Sequence, residues 1–215
     1  MVYHLVKKDF LLAKKYWTVM LIAGLVLPIF IKSKVDFMPG GFLAFFLSTL
    51  FIQYLLFNTV SMIEYKSKGS ALLCATPYTR RTIVIAKYFF LLAIFAGCYL
   101  LYSFASLLIP AKMEMLSLSE VGVSILVMAA VFGVMIPVQY RFGYEKSKYI
   151  FMFLIFLFPF VFPQMIRAMQ FQQIGLQNLL PLPGVVQVLF LGLLALSISW
   201  ISMECSARIY AKQNL

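Results

Sequence analysis

Few residues in this 215-residue chain are of a kind that carries out chemistry. There is one histidine, His4, and it falls on the charged side of the first helical segment. A metal site or histidine-dependent acid–base catalysis is therefore not expected. Cys74, Cys98 and Cys205 are odd in number and widely spaced, with neither metal-ligand nor disulfide spacing. They read as small apolar packing residues. The chain has no Gly-x-x-x-x-Gly-Lys-Ser/Thr phosphate cradle, so it does not bind ATP in the P-loop manner on its own. The expected catalytic and metal sets are both empty, and no cofactor is expected on this chain.

The elements that position so sparse a set are apolar. Hydrophobic residues make up 63% of the chain and charged residues 12%, against about 45–50% and about 25% in a soluble domain. No compact soluble domain hides that much apolar surface. The solvent is lipid, and the expected fold is an all-α polytopic membrane protein. A bilayer core of about 30 Å takes roughly 20 residues per helix, and six segments qualify. They run from about Tyr16 to Ile31 (interrupted by Pro28), Gly41 to Ile63, Tyr88 to Ile109, Val121 to Tyr140, from Tyr149 onward (broken by Pro159 and Pro163), and Gly184 to Met203. They are far too long for barrel strands. No span carries a charge near its middle, which disfavours proton- or sodium-driven transport and an intramembrane protease.

Six spans put both termini on one side, and the basic residues choose it. With cytoplasmic termini, fourteen of the 18 Lys and Arg lie inside and only Lys32, Lys34, Lys112 and Arg167 outside. The net charge of +11 is thus mainly a topology signal, assisted by anionic lipid, and no nucleic-acid partner is needed. The chain reads as one transmembrane domain over residues 1–215.

Residues 1–16 form an amphipathic helix lying on the inner leaflet. His4, Lys7, Lys8, Lys14 and Lys15 share one arc, with the lysines reaching for head groups, while Val2, Leu5, Val6, Phe10, Leu12 and Ala13 share the other. Asp9 sits inside the apolar arc. An unpaired carboxylate there is costly, so a cation from another cytoplasmic segment, Arg80, Arg81 or Lys87, is the expected partner; a kink that lets Asp9 reach water is the alternative. Residues 64–87 leave the second span at Glu64, form a short half-apolar helix with Leu72 and Leu73, turn at Pro77-Tyr78-Thr79-Arg80-Arg81, and enter the third span after Lys87. An apolar helix held outside the bilayer fits a protein groove. The amide-rich external link 164–183 still holds apolar residues and reads as a re-entrant piece.

The stretch Ala71–Phe89, with Leu72, Leu73, Pro77, Arg80, Arg81, Ile83, Val84, Lys87 and Tyr88, resembles the cytoplasmic loop of ABC-2 type transporter permeases, specifically the small six-span bacterial peptide and antibiotic exporters. Supporting echoes are Lys8-Asp9-Phe10 and the run from Pro137 to Lys148, with Gly143, Glu145 and Lys146 as a second cytoplasmic contact. The resemblance implies a multi-pass subunit in the bacterial plasma membrane. It implies pairing with a second permease copy or a homologous permease, and coupling to a separate ABC ATPase that binds the ATP and Mg. Residues 64–87 would be the coupling segment, with Glu64, Leu72, Leu73, Pro77, Arg80, Arg81 and Lys87 as its ATPase-coupling residues. Cargo would be hydrophobic or amphipathic, a peptide or antimicrobial for example. Gln53 and Asn58 could line a path, or serve as hydrogen-bonding glue between helices. The rival readings are a membrane scaffold or accessory protein, and a secondary transporter without an ATPase.

Overall fold

The computed structural model describes residues 2–34, 41–67, 78–108, 115–171 and 184–212. All the regular structure among them is helical: α1 Val2–Ala13, α2 Trp17–Lys34, α3 Phe42–Lys66, α4 Arg80–Leu108, α5 Leu118–Phe142, α6 Tyr144–Phe171 and α7 Gly184–Ala211. A single 3-10 turn, Lys14–Tyr16, joins α1 to α2. Among the described residues, five helical stretches are long and apolar enough to cross a membrane: Val2–Lys32, Phe42–Lys66, Arg80–Leu108, Leu118–Phe142 and Val186–Ala211. The sixth long helix, α6, carries Glu145, Lys146 and Lys148 in its first turns. The protein is a multi-pass membrane protein.

Two expectations about proline are corrected. Helix α2 continues through Pro28 to Lys34. Helix α6 passes Pro159 and Pro163 unbroken to Phe171. Proline removes one backbone hydrogen bond, but in lipid a broken helix would strand several, so continuation is favoured. Residues 164–171 of the expected re-entrant link are therefore the end of α6; residues 172–183 lie outside the described residues. Helix starts also lie earlier than expected. α4 begins at Arg80 behind Thr79, whose Oγ1 accepts from the Thr82 N–H at 3.3 Å. α5 begins behind a reciprocal Ser117–Glu120 capping box.

Helix α3 is the axis of the bundle, buried along most of its length and packed by α1, α2, α4, α5 and α6. Aromatic pairs hold it to the antiparallel α6: Phe46–Phe158, Phe51–Phe156 and Tyr65–Tyr144 at 5.8, 6.4 and 5.6 Å between ring centroids. Phe45 meets Phe95, Tyr99 and Tyr102 of α4 edge-on. The most extensive pairing is α5 with α7. Gly122 and Gly133 lie on this seam, where the helices come close: a Cβ at Gly122 would lie 3.4 Å from the Leu191 side chain and 3.9 Å from the Val188 backbone. Lipid gives no hydrophobic drive between helices, so this close approach supplies van der Waals contact in its place. The start of α4 and the ends of α3, α5 and α7 converge with α1 at one end, here the basic end.

Candidate functional site

Helix α1 lays Leu5, Asp9 and Ala13, spaced four apart, against α3 and α4. Leu5 packs with Ile83, Val84 and Ala86, while Phe10 meets Phe90 edge-on at 5.0 Å. That packing carries Asp9, 1% exposed, to the junction of α3 and α4. Of the three cations considered for it, the structure selects Lys87: Nζ lies 3.2 Å from Asp9 Oδ2 and 2.8 Å from Glu64 Oε2. Lys8 Nζ closes the ring from the other side, donating to Glu64 Oε1 and lying 3.1 Å from Asp9 Oδ1 as an ion pair without a hydrogen bond. Lys8 was expected among the head-group lysines. It turns inward because two carboxylates face it there. Two ammoniums and two carboxylates from α1, α3 and α4 thus sum to zero charge. The attraction is strong where water is scarce, and removing one member strands a buried charge. Lys7, Lys14 and Lys15 remain exposed.

The first turns of α4 are also bound to α7. Arg80 Nη1 donates to the backbone carbonyls of Tyr210 and Ala211 at 3.0 and 2.9 Å, and its guanidinium lies 5.8 Å from the Tyr210 ring centre. Arg81 pairs with Glu204. Two turns on, the Tyr88 hydroxyl bonds Ser202 Oγ at 2.6 Å, and Ser202 in turn donates to the Gly133 carbonyl of α5. Glu64, Arg80, Arg81 and Lys87, named from sequence as facing an ATPase, therefore all engage their own chain. Leu72, Leu73 and Pro77 lie outside the described residues.

Gly143 forms the elbow between α5 and α6 with φ of +80°, and Glu145 and Lys146 are exposed beside it. The Tyr65–Tyr144 contact sets this elbow next to the end of α3, one residue before Lys66. Gln53 is buried between helices and donates through Nε2 to the Leu91 carbonyl at 3.0 Å, the glue arrangement; Asn58 is half-buried. Sequence reasoning gave Tyr88 only as part of the loop motif and assigned no contact to it, or to Ser202, Glu204 and Tyr210. The four-residue spacing of Ser202 and Ser206 on one face of α7 was the available signal.

What the residues build is a mechanical joint, in which the helices on either side of residues 68–77 are fastened to each other, to α1 and to α7. No curated protein and no solved structure matches the chain significantly. A family model, described as ABC-2 family transporter protein, matches residues 4–211, from α1 through the last residue of α7. The chain belongs to the ABC-2 family of transporter proteins.

Proposed function

We propose that the chain is the permease subunit of an ABC-2 exporter in a bacterial plasma membrane, paired with a second permease and driven by a separate ATPase. Helices α2 to α7 are its six spans, with both termini and the basic end in the cytoplasm. The exposed apolar flank of α6, including Phe153, Phe156 and Phe160, supports counting it as a span. Residues 68–77 present Leu72 and Leu73 to the ATPase, and the 143–146 elbow offers a second contact. The observation that carries this reading is the Lys87–Glu64 bond of 2.8 Å. It makes the two helices flanking residues 68–77 a single lever, so a push on those residues enters the bundle. Cargo is hydrophobic or amphipathic, a peptide or antimicrobial.

The test is co-purification. The wild-type chain brings an ABC ATPase with it and stimulates its hydrolysis. The variant with Leu72→Asp and Leu73→Asp inserts normally, loses the ATPase, and gives no stimulation. Normal coupling by that variant would overturn the docking assignment.

A further inference from the structure

We infer that Arg80 is a positioning residue that clamps the C-terminal end of α7 to the first turn of α4, so that movement of α4 reaches α7 and α5; this rests on the coupling proposed above.

A helix C-terminus leaves its last carbonyls without intrahelical partners and concentrates partial negative charge there. In α7 two of these carbonyls, on Tyr210 and Ala211, are taken by one arginine that lies 130 and 131 residues away in sequence. Both bonds leave one nitrogen, Nη1, while the planar guanidinium lies over the Tyr210 ring; a lysine ammonium could donate to the carbonyls but offers no flat face to the ring. Tyr210 is itself fixed, buried and packed against Tyr140 of α5 at 4.9 Å between ring centres. Arg81–Glu204 and Tyr88–Ser202 continue the seam along α4, and Ser202 carries it to Gly133 of α5. Arg80 is the first residue of α4, the helix that follows residues 68–77. It therefore receives displacement from that segment before any other tie to α7 does.

The first experiment uses the chain alone in detergent, with amide hydrogen exchange read over residues 204–212. Arg80→Leu raises exchange there by about tenfold, the scale of one charge-assisted hydrogen bond, and Arg80→Lys falls between. Unchanged exchange in Arg80→Leu would overturn the clamp whatever the chain's function.

The second experiment uses the permease–ATPase complex in a Cys74→Ser background, where Cys205 on α7 is exposed and Cys98 buried. In the otherwise wild-type complex, ATP changes the rate at which a polar maleimide labels Cys205. Arg80→Leu loses that change while still binding a hydrolysing ATPase, and Arg80→Lys recovers part of it. A retained change in Arg80→Leu, or no change in the parent complex, would overturn the transmission. Loss of ATPase binding in Arg80→Leu alone would make Arg80 a docking residue and overturn the clamp. Absence of ATPase binding in the parent would instead overturn the proposed function. Should Arg80→Leu fail to fold, Arg80→Lys carries both measurements.

Discussion

Lys87→Met removes one charge from a closed ring of four. The methionine keeps the length and most of the volume of the lysine stem, so packing against α1 and α3 is nearly preserved and the perturbation is electrostatic. Asp9 Oδ2 and Glu64 Oε2 lose contacts of 3.2 and 2.8 Å. Asp9, 1% exposed, is left with Lys8 alone, and the cluster carries one uncompensated negative charge. Breaking a buried ion pair from one side costs about 3–5 kcal/mol. For a chain of this size each kcal/mol moves the unfolding midpoint by about 2–4 °C, so the variant melts about 6–20 °C lower. Added salt changes this little, because buried pairs are poorly screened. The assay is thermal unfolding in detergent micelles followed by the fluorescence of Trp17 and Trp200. The second arm is the double variant, Asp9→Asn with Lys87→Met. It leaves Lys8 and Glu64, 31% and 19% exposed, as a neutral pair, and is more stable than Lys87→Met alone. A double variant whose loss equals the sum of the two single losses would refute the closed ring. So would a Lys87→Met midpoint within 2 °C of the wild type, an interval matching less than about 1 kcal/mol.

Gly122→Leu drives a side chain into Leu191 and the Val188 backbone; it costs about 1–3 kcal/mol and lowers the same melting midpoint, whereas Gly133→Ala, whose Cβ meets Ile198 and Ser202 at 3.6 Å, is tolerated. Gly143→Val places a branched residue at φ of +80° and ψ of 164°; the strain is about 1–3 kcal/mol and appears as faster hydrogen exchange across the α5–α6 elbow. Ser117→Ala removes the acceptor for the Glu120 N–H; about 1 kcal/mol of helix capping is lost, visible as faster exchange at residues 118–121. Gln53→Leu gives up the bond to the Leu91 carbonyl at a cost of about 0.6 kcal/mol, and transport measured in vesicles stays near wild type; a collapse of transport at unchanged stability would return Gln53 to the substrate path.

Asp9 was legible because its cost is local: a carboxylate on the apolar arc of a helix requires a partner, and only a few cations lie within reach of the first helix. That argument could not choose among Arg80, Arg81 and Lys87, since the choice depends on how α4 is rotated against α1. Arg80 and Arg81 were counted as inside charges, which fixed the side of the membrane they mark and nothing about where they point. Their acceptors on α7 lie more than 120 residues away in sequence, beyond any periodicity. Ser202 was unreadable for another reason, since a serine hydroxyl in a membrane helix bonds as readily to its own backbone, as Ser106 does to the Ser103 carbonyl, as to a neighbour. The helix breaks expected at Pro28, Pro159 and Pro163 came from a rule learned in water, where a freed carbonyl finds solvent. In lipid it does not, and the helices continue.

The proposed function requires that residues 68–77 be gripped by a motor outside the membrane. Cys74 sits one residue after Leu73, so a thiol-reactive photo-cross-linker attached there, in a Cys205→Ser background and in cells that make the ATPase, measures this directly. The prediction is a covalent adduct identified by mass spectrometry as a P-loop ATPase subunit, and lost on Leu72→Asp with Leu73→Asp. Adducts confined to lipid or to the chain's own helices would contradict it.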